Sequence, residues 1–108
     1  MTTPGLSELY DKAAREPENL DENERAKFLW LIAQLFLIYE GQFHLYKKGF
    51  LAEPAWHAKE QLMLGLLQNP VVRPWWDSRV SPMSPEFFDY LEPKIESYKG
   101  AWRYETIG

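Results

Sequence analysis

Apolar residues recur at helical spacing along most of this chain. Leu6, Leu9, Tyr10, Ala13 and Ala14 stand at i, i+3, i+4, i+7 and i+8, which predicts an amphipathic helix over Leu6–Arg15. Pro17 and Asn19 break it. Asp21 followed by Glu24 has the form of a capping box. The Asp21 carboxylate can accept an orphan backbone N–H, and Glu24 can reach back to the N–H of Asp21. A long helix is therefore predicted from Glu22 to Lys48, with Lys47 and Lys48 at the negative end of its dipole and Gly49 just past it. At 1.5 Å per residue it would run roughly 40 Å.

Phe28, Ile32, Leu35, Phe36, Tyr39, Phe43 and Tyr46 follow the 3.6-residue period of this helix and form its core face. Leu31, Ile38 and Leu45 repeat every seven residues on a flank, and Trp30 and Leu37 lie on the far side. A helix that is apolar nearly all round is buried on more than one side. Either this is the central helix of the domain, or part of its surface is an interface. Rows at spacing seven are the seam pattern of helix-on-helix association. Trp30, Leu31, Leu37, Ile38 and Leu45 are thus the candidate interface residues.

The remaining segments are shorter. Pro54 suits the first turn of a helix, predicted over Pro54–Gln68, with Trp56, Met63, Leu66 and Leu67 inward and Asn69-Pro70 as its end. Val71–Val80 is aromatic and holds either a helix starting at Pro74 or a kinked continuation from Pro70. Ser84-Pro85 reads as an N-cap and first helical residue, followed by an inward stripe of Phe87, Phe88, Leu91 and Ile95. Pro93 should kink or end that helix unless the carbonyl it frees is satisfied otherwise. No segment alternates as a strand does. The predicted fold is all-α: one domain, a small antiparallel bundle of four to five helices around one long central helix. The ends, about 1–5 and 100–108, are expected to be flexible, with Trp102 and Tyr104 outside any periodic pattern.

Composition narrows the function. A chain of 108 residues that is 45% hydrophobic and 16% aromatic can build one real core. Without cysteine there is no thiol nucleophile, disulfide framework or thiolate metal site. A net charge of -4 argues against nucleic acid, where Lys and Arg contacts to phosphate supply most of the affinity. The longest apolar run, Phe28 to Tyr39, is twelve residues interrupted only by Gln34. A membrane span needs about 20. The first residues also lack the basic and apolar regions of a secretory signal. The expected location is the cytoplasm.

Candidate chemistry is sparse. Glu40 and His44 stand at i, i+4, and His57 and Glu60 at i, i+3, on two different helices. Di-iron bundles use Glu-x-x-His with further glutamates facing the core. The order here differs, so both pairs read as local charge pairs on solvated helix surfaces, and no metal or cofactor is expected. Neither a Gly-x-Ser-x-Gly elbow nor a glycine-rich phosphate loop is present, and Ser84 reads as a cap, so the chain is expected not to be an enzyme. Large aromatics bury about 150–250 Å² each, which places Trp56 and Trp75 in the core. The alternative is a small-molecule pocket between the long helix and Trp75-Trp76, with Tyr39, Tyr46 and Arg73 as polar handles.

An ordered series of residues carries a family resemblance. It runs Leu9-Tyr10, Leu20-x-x-x-Glu24-Arg25-x-x-Phe28, Tyr39-Glu40-x-x-Phe43-x-x-Tyr46-x-x-Gly49, Leu51, Trp56, Asn69-Pro70, Trp75-Trp76 and Ser84-Pro85-x-Phe87. Over Leu6 to Leu91 the chain resembles the C-terminal helical domain of small bacterial, often membrane-anchored, proteins of unknown function. The resemblance implies a helical fold and brings no chemistry with it. Membrane attachment is expected only through an anchor helix that this chain lacks. The chain departs from the group at Pro74, and at Leu29, Trp30, Leu37 and Ile38, where the group carries polar or small residues. That extra apolar surface points to a partner: a second copy, giving a homodimer, or a helix of another protein. The expected function is a non-catalytic helical interaction or regulatory domain.

Overall fold

The fold comes from a computed structural model that describes residues 5–98. Trp102 and Tyr104 lie outside the described residues. Among those described there are five α-helices and no strand. The order is α1 (Leu6–Arg15), a 3₁₀ turn (Pro17–Asn19), α2 (Glu22–Lys47), α3 (Glu53–Leu66), α4 (Val72–Ser78) and α5 (Pro85–Ser97).

The long helix forms between the signals that predicted it. The Glu24 N–H donates to Asp21 Oδ1 at 2.8 Å, and the Asp21 N–H donates to Glu24 Oε1 at 3.0 Å. Both halves of the capping box are present. The helix stops where Gly49 takes φ +84°, a left-handed conformation that would strain any side chain. Phe28, Ile32, Phe36 and Phe43 are buried, while Leu35, Tyr39 and Tyr46 pack on the margin of the core. By length and composition α2 is also apolar enough to cross a membrane. In the fold it is the central helix, against which α1, α3 and α4 pack.

Side-chain contacts give the directions of the neighbours. Lys12 meets Glu24 and Tyr10 meets Phe28, so α1 and α2 run antiparallel. Arg73 meets Glu96 and Trp76 meets Glu92, so α4 and α5 are antiparallel as well. The third pair differs. Trp56 meets Tyr90, Glu60 meets Lys94, and Gly65 lies against Tyr98, so α3 and α5 run parallel. Sequence neighbours joined by short links return on themselves. The intervening α4 lets α5 come back in the direction of α3. The core between them is aromatic: Phe43 touches Trp56, Phe87 and Tyr90 at centroid distances of 5.7, 5.5 and 4.9 Å.

Three local expectations are corrected. First, of the two starts left open for α4, the one at Pro74 is ruled out: the helix begins at Val72, two residues after Pro70. Asn69 is responsible: its Oδ1 accepts from the Val71 N–H at 2.8 Å, and its carbonyl accepts from the N–H groups of Val72 and Arg73. Pro74 then falls in the first turn, where a missing N–H costs nothing. Second, Ser84 occupies the N-cap of α5, but its hydroxyl makes no capping hydrogen bond. Its backbone N–H donates to the Glu40 carboxylate, and its Oγ lies 3.4 Å from His44 Nε2. Third, α5 passes through Pro93 and continues to Ser97. The freed carbonyl belongs to Asp89, and both residues face solvent, so water can take the lost bond.

Candidate functional site

Three regions carry features that a minimal bundle does not need. The first is the outer surface of α2. Between Lys27 and Lys47 its exposed residues are Trp30, Gln34, Ile38, Gly41 and Leu45, and none is charged. Trp30 is 62% exposed, Ile38 57% and Leu45 47%. Leu31 is half-buried on the same flank. A Cβ added at Gly41 would meet nothing within 4 Å, so no packing inside the domain requires a glycine there. Glycine in a helix interior costs about 1 kcal/mol relative to alanine.

The second region is a groove of about 450 Å³ beside that surface, between α2 and the α4–α5 connection. Leu29 and Ala33 line it together with Trp30, Leu37, Trp75 and Val80. The Ser81 hydroxyl also borders it, with its oxygen buried and without a hydrogen-bond partner among the described residues. Leu37, expected on the far side, is half-buried and packs on the core; it edges the groove with Trp30, while Ile38 and Leu45 face outward beside the half-buried Leu31.

Of the residues named for an aromatic pocket, Tyr39, Trp75 and Trp76 all pack around the Phe36 ring, at centroid distances of 6.4, 5.5 and 5.8 Å, while Tyr46 and Arg73 are engaged elsewhere. Trp75 borders the groove. Trp76 is buried, and its indole N–H donates to Glu92 Oε1 at 2.9 Å. Arg73 is held by Asp77 at 3.2 Å and Glu96 at 3.1 Å. Tyr46 stacks on Trp56 with centroids 5.6 Å apart, and Tyr39 packs edge-on against Phe36, where burial raises its pKa.

The third region was not singled out from the sequence. Glu60 is 4% exposed, the one charged residue in the buried set among those described. Tyr90 donates its hydroxyl to Glu60 Oε1 and accepts the Trp56 indole N–H at 3.1 Å. Burial, helped by the bond to Glu60, pushes the Tyr90 phenol up to about 12. Lys94 Nζ stands 3.7 Å from Glu60 Oε1, and His57 Nδ1 stands 3.4 Å from Oε2. The expected solvated pair of His57 and Glu60 is therefore half right: His57 is exposed, and Glu60 is not. Position i+4 from Trp56 puts Glu60 on the inward face, a signal present in the sequence but masked by the apolar weighting of the pattern.

Glu40 is corrected in the same way. Its side chain is mostly buried, and it satisfies the Ser84 N–H at the start of α5. His44 Nε2 faces both Glu40, at 3.9 Å, and Ser84. A relay to a serine nucleophile needs the acid on the other ring nitrogen. This trio is a helix-end tie between α2 and α5. Among the described residues no three His, Asp or Glu side chains are placed to share a metal ion.

Comparison of the chain with protein-family models, with curated proteins and with solved structures finds no match.

Proposed function

We propose that this protein is a non-catalytic helical interaction domain that pairs with a second copy of itself through the outer surface of α2. The carrying observation is the uncharged run of exposed positions Trp30, Gln34, Ile38, Gly41 and Leu45. Contiguous exposed apolar surface on a folded domain usually marks a contact site. Leu31, Ile38 and Leu45 supply a seam of period seven, and the bare backbone at Gly41 allows close approach. A second copy fits better than a charged partner, because the surface is uncharged and presents the same row to itself. Two such surfaces form an isologous contact that closes at two copies. The proposed location is the cytoplasm, with α2 serving as core helix and not as a span.

Size sets the strength. The run covers sixteen residues, a rise of about 22 Å on a helix about 10 Å wide, or a few hundred Å² per copy. Stable interfaces bury about 800 Å² per partner. The dimer should therefore be concentration-dependent. Light scattering on a sizing column should give a mass near twice 12.8 kDa at high concentration, falling toward 12.8 kDa on dilution. A particle of 12.8 kDa at every concentration would overturn the reading.

The groove favours a second reading, a small-molecule sensor. It is apolar and ends at Trp75, the aromatic-lined composition common in ligand sites. A thermal-shift screen across metabolite classes tests it. Selective binding to the folded state raises the melting temperature in proportion to ligand excess, and a silent panel argues against it.

A further inference from the structure

The side of the bundle where α3 and α5 run parallel holds a second cavity, of about 370 Å³, away from α2. His57, Glu60, Leu64, Lys94 and Tyr98 contribute to its wall. Its chemistry is unusual for a structural contact. Glu60 is buried, and a buried carboxylate is costly unless it is paired and hydrogen-bonded. Its Oε1 is held by Tyr90. Among the described residues its Oε2 has only His57, at 3.4 Å, although a carboxylate accepts about four hydrogen bonds in all. Lys94 does not close the pair. At 3.7 Å from Oε1 and 4.8 Å from the Tyr90 ring centroid it makes an ion pair and a cation–π contact, but no hydrogen bond among the described residues. Its three N–H donors are left for solvent or for a ligand.

The cavity thus presents one under-bonded anion and one under-bonded cation side by side. An amine alone would compete with Lys94 for Glu60, and an anion alone would be repelled by Glu60. A ligand carrying both charges on neighbouring atoms satisfies both groups. Bond lengths of about 1.5 Å place the ammonium nitrogen and the carboxylate oxygens of an α-amino acid about 3 Å apart, matching the short separation of Glu60 and Lys94. Leu64 and Tyr98 offer the apolar part of the wall to a side chain. We propose that the α3–α5 cavity binds a free α-amino acid with an apolar side chain, its ammonium on Glu60 and its carboxylate on Lys94. This site is independent of pairing through α2.

The fold supplies a reporter. The Trp56 indole N–H donates to Tyr90, and Tyr90 donates to Glu60, so a ligand drawing on the carboxylate alters the bond at Trp56. The experiment follows the Trp56 indole cross-peak in a proton–nitrogen NMR spectrum while L-leucine is added to the full chain. A saturable shift is expected. Isopentylamine lacks the carboxylate and 4-methylpentanoate lacks the ammonium, and each should bind at least tenfold more weakly. Lys94→Gln, at a half-exposed position, should weaken L-leucine by a similar factor, and so should Glu60→Gln, each compared with the parent at a temperature where its own unfolding curve shows it folded. Three results each overturn the proposal: no saturable shift up to roughly 10 mM, where a millimolar site would fill; isopentylamine binding as well as L-leucine; or unchanged affinity in Lys94→Gln.

Discussion

The side-chain amide of Asn69 donates to the backbone carbonyl of Ala13 at 3.1 Å, tying the end of α1 to the start of α4 across 56 residues of chain. Both residues are fully buried. The same side chain accepts the Val71 N–H, so one asparagine satisfies a donor and an acceptor on separate elements. Asn69→Leu fills the space but leaves both backbone groups buried without partners. Each such group costs about 1–3 kcal/mol. The variant should lose roughly 2–5 kcal/mol in urea unfolding, and Asn69→Asp, which keeps the acceptor for Val71 but sets a buried carboxyl oxygen against the Ala13 carbonyl, should lose no less.

Ile38 stands at the middle of the proposed interface and outside the core. Ile38→Lys should shift the midpoint of thermal unfolding little at concentrations where the protein is monomeric, since exposed substitutions stay within about 0.5 kcal/mol. It should abolish the concentration dependence of the mass. A dimer that survives Ile38→Lys would move the contact elsewhere.

Gly41 separates the two roles of α2. Alanine there meets nothing within 4 Å and should stabilise the monomer by up to about 1 kcal/mol through helix propensity. If two helices approach closely at this position, Gly41→Ala should also weaken pairing. A gain in monomer stability with unchanged pairing would show that the helices meet farther apart.

Tyr90 predicts an alkaline limb. Its folded pKa, about 12, exceeds the unfolded value of 10.0. Between those values the unfolded chain releases the proton and the folded chain keeps it, so stability falls as pH rises. Tyr90→Phe removes this group and orphans the Trp56 N–H, so it should be less stable at neutral pH. Its deficit against the parent should shrink from pH 10 to pH 12, as measured by denaturant unfolding. A constant deficit would mean that Tyr90 does not titrate as its surroundings imply.

Glu92 predicts an acid limb of opposite sign. The hydrogen bond from Arg79, aided by that from Trp76 and opposed by burial, holds its carboxyl below the usual range. Its contribution is complete above the unfolded pKa and is lost as pH falls through the lowered value. Glu92→Gln keeps an acceptor for the Trp76 indole. The gap to the parent should be widest near neutrality and close below pH 4.5, the ordinary carboxylate value.

Helix positions were legible in the chain because their signals are local. The capping box at Asp21, the left-handed glycine at Gly49 and the prolines that open α3 and α5, Pro54 and Pro85, act within a few residues. The core face of α2 was legible because period 3.6 maps onto one side of any helix. Trp30 and Ile38 were likewise recognised as lying off that face, and both are exposed.

Other features depended on which helix lies beside which. Glu60 and Glu40 looked like solvent-facing partners of histidines, since polar residues usually lie outside. Only the parallel packing of α5 on α3 brings Tyr90 and Lys94 to Glu60, and only the approach of α5 to α2 brings the Ser84 N–H to Glu40. Tyr39 and Trp76 do meet, around Phe36, but Tyr46 goes to Trp56 and Arg73 to Asp77 and Glu96 once the helices pack. A one-dimensional period tells which side of a helix is wet or dry. The direction and register between helices are set by side chains far apart in the chain, and those contacts decide which buried charges meet and which cavities form.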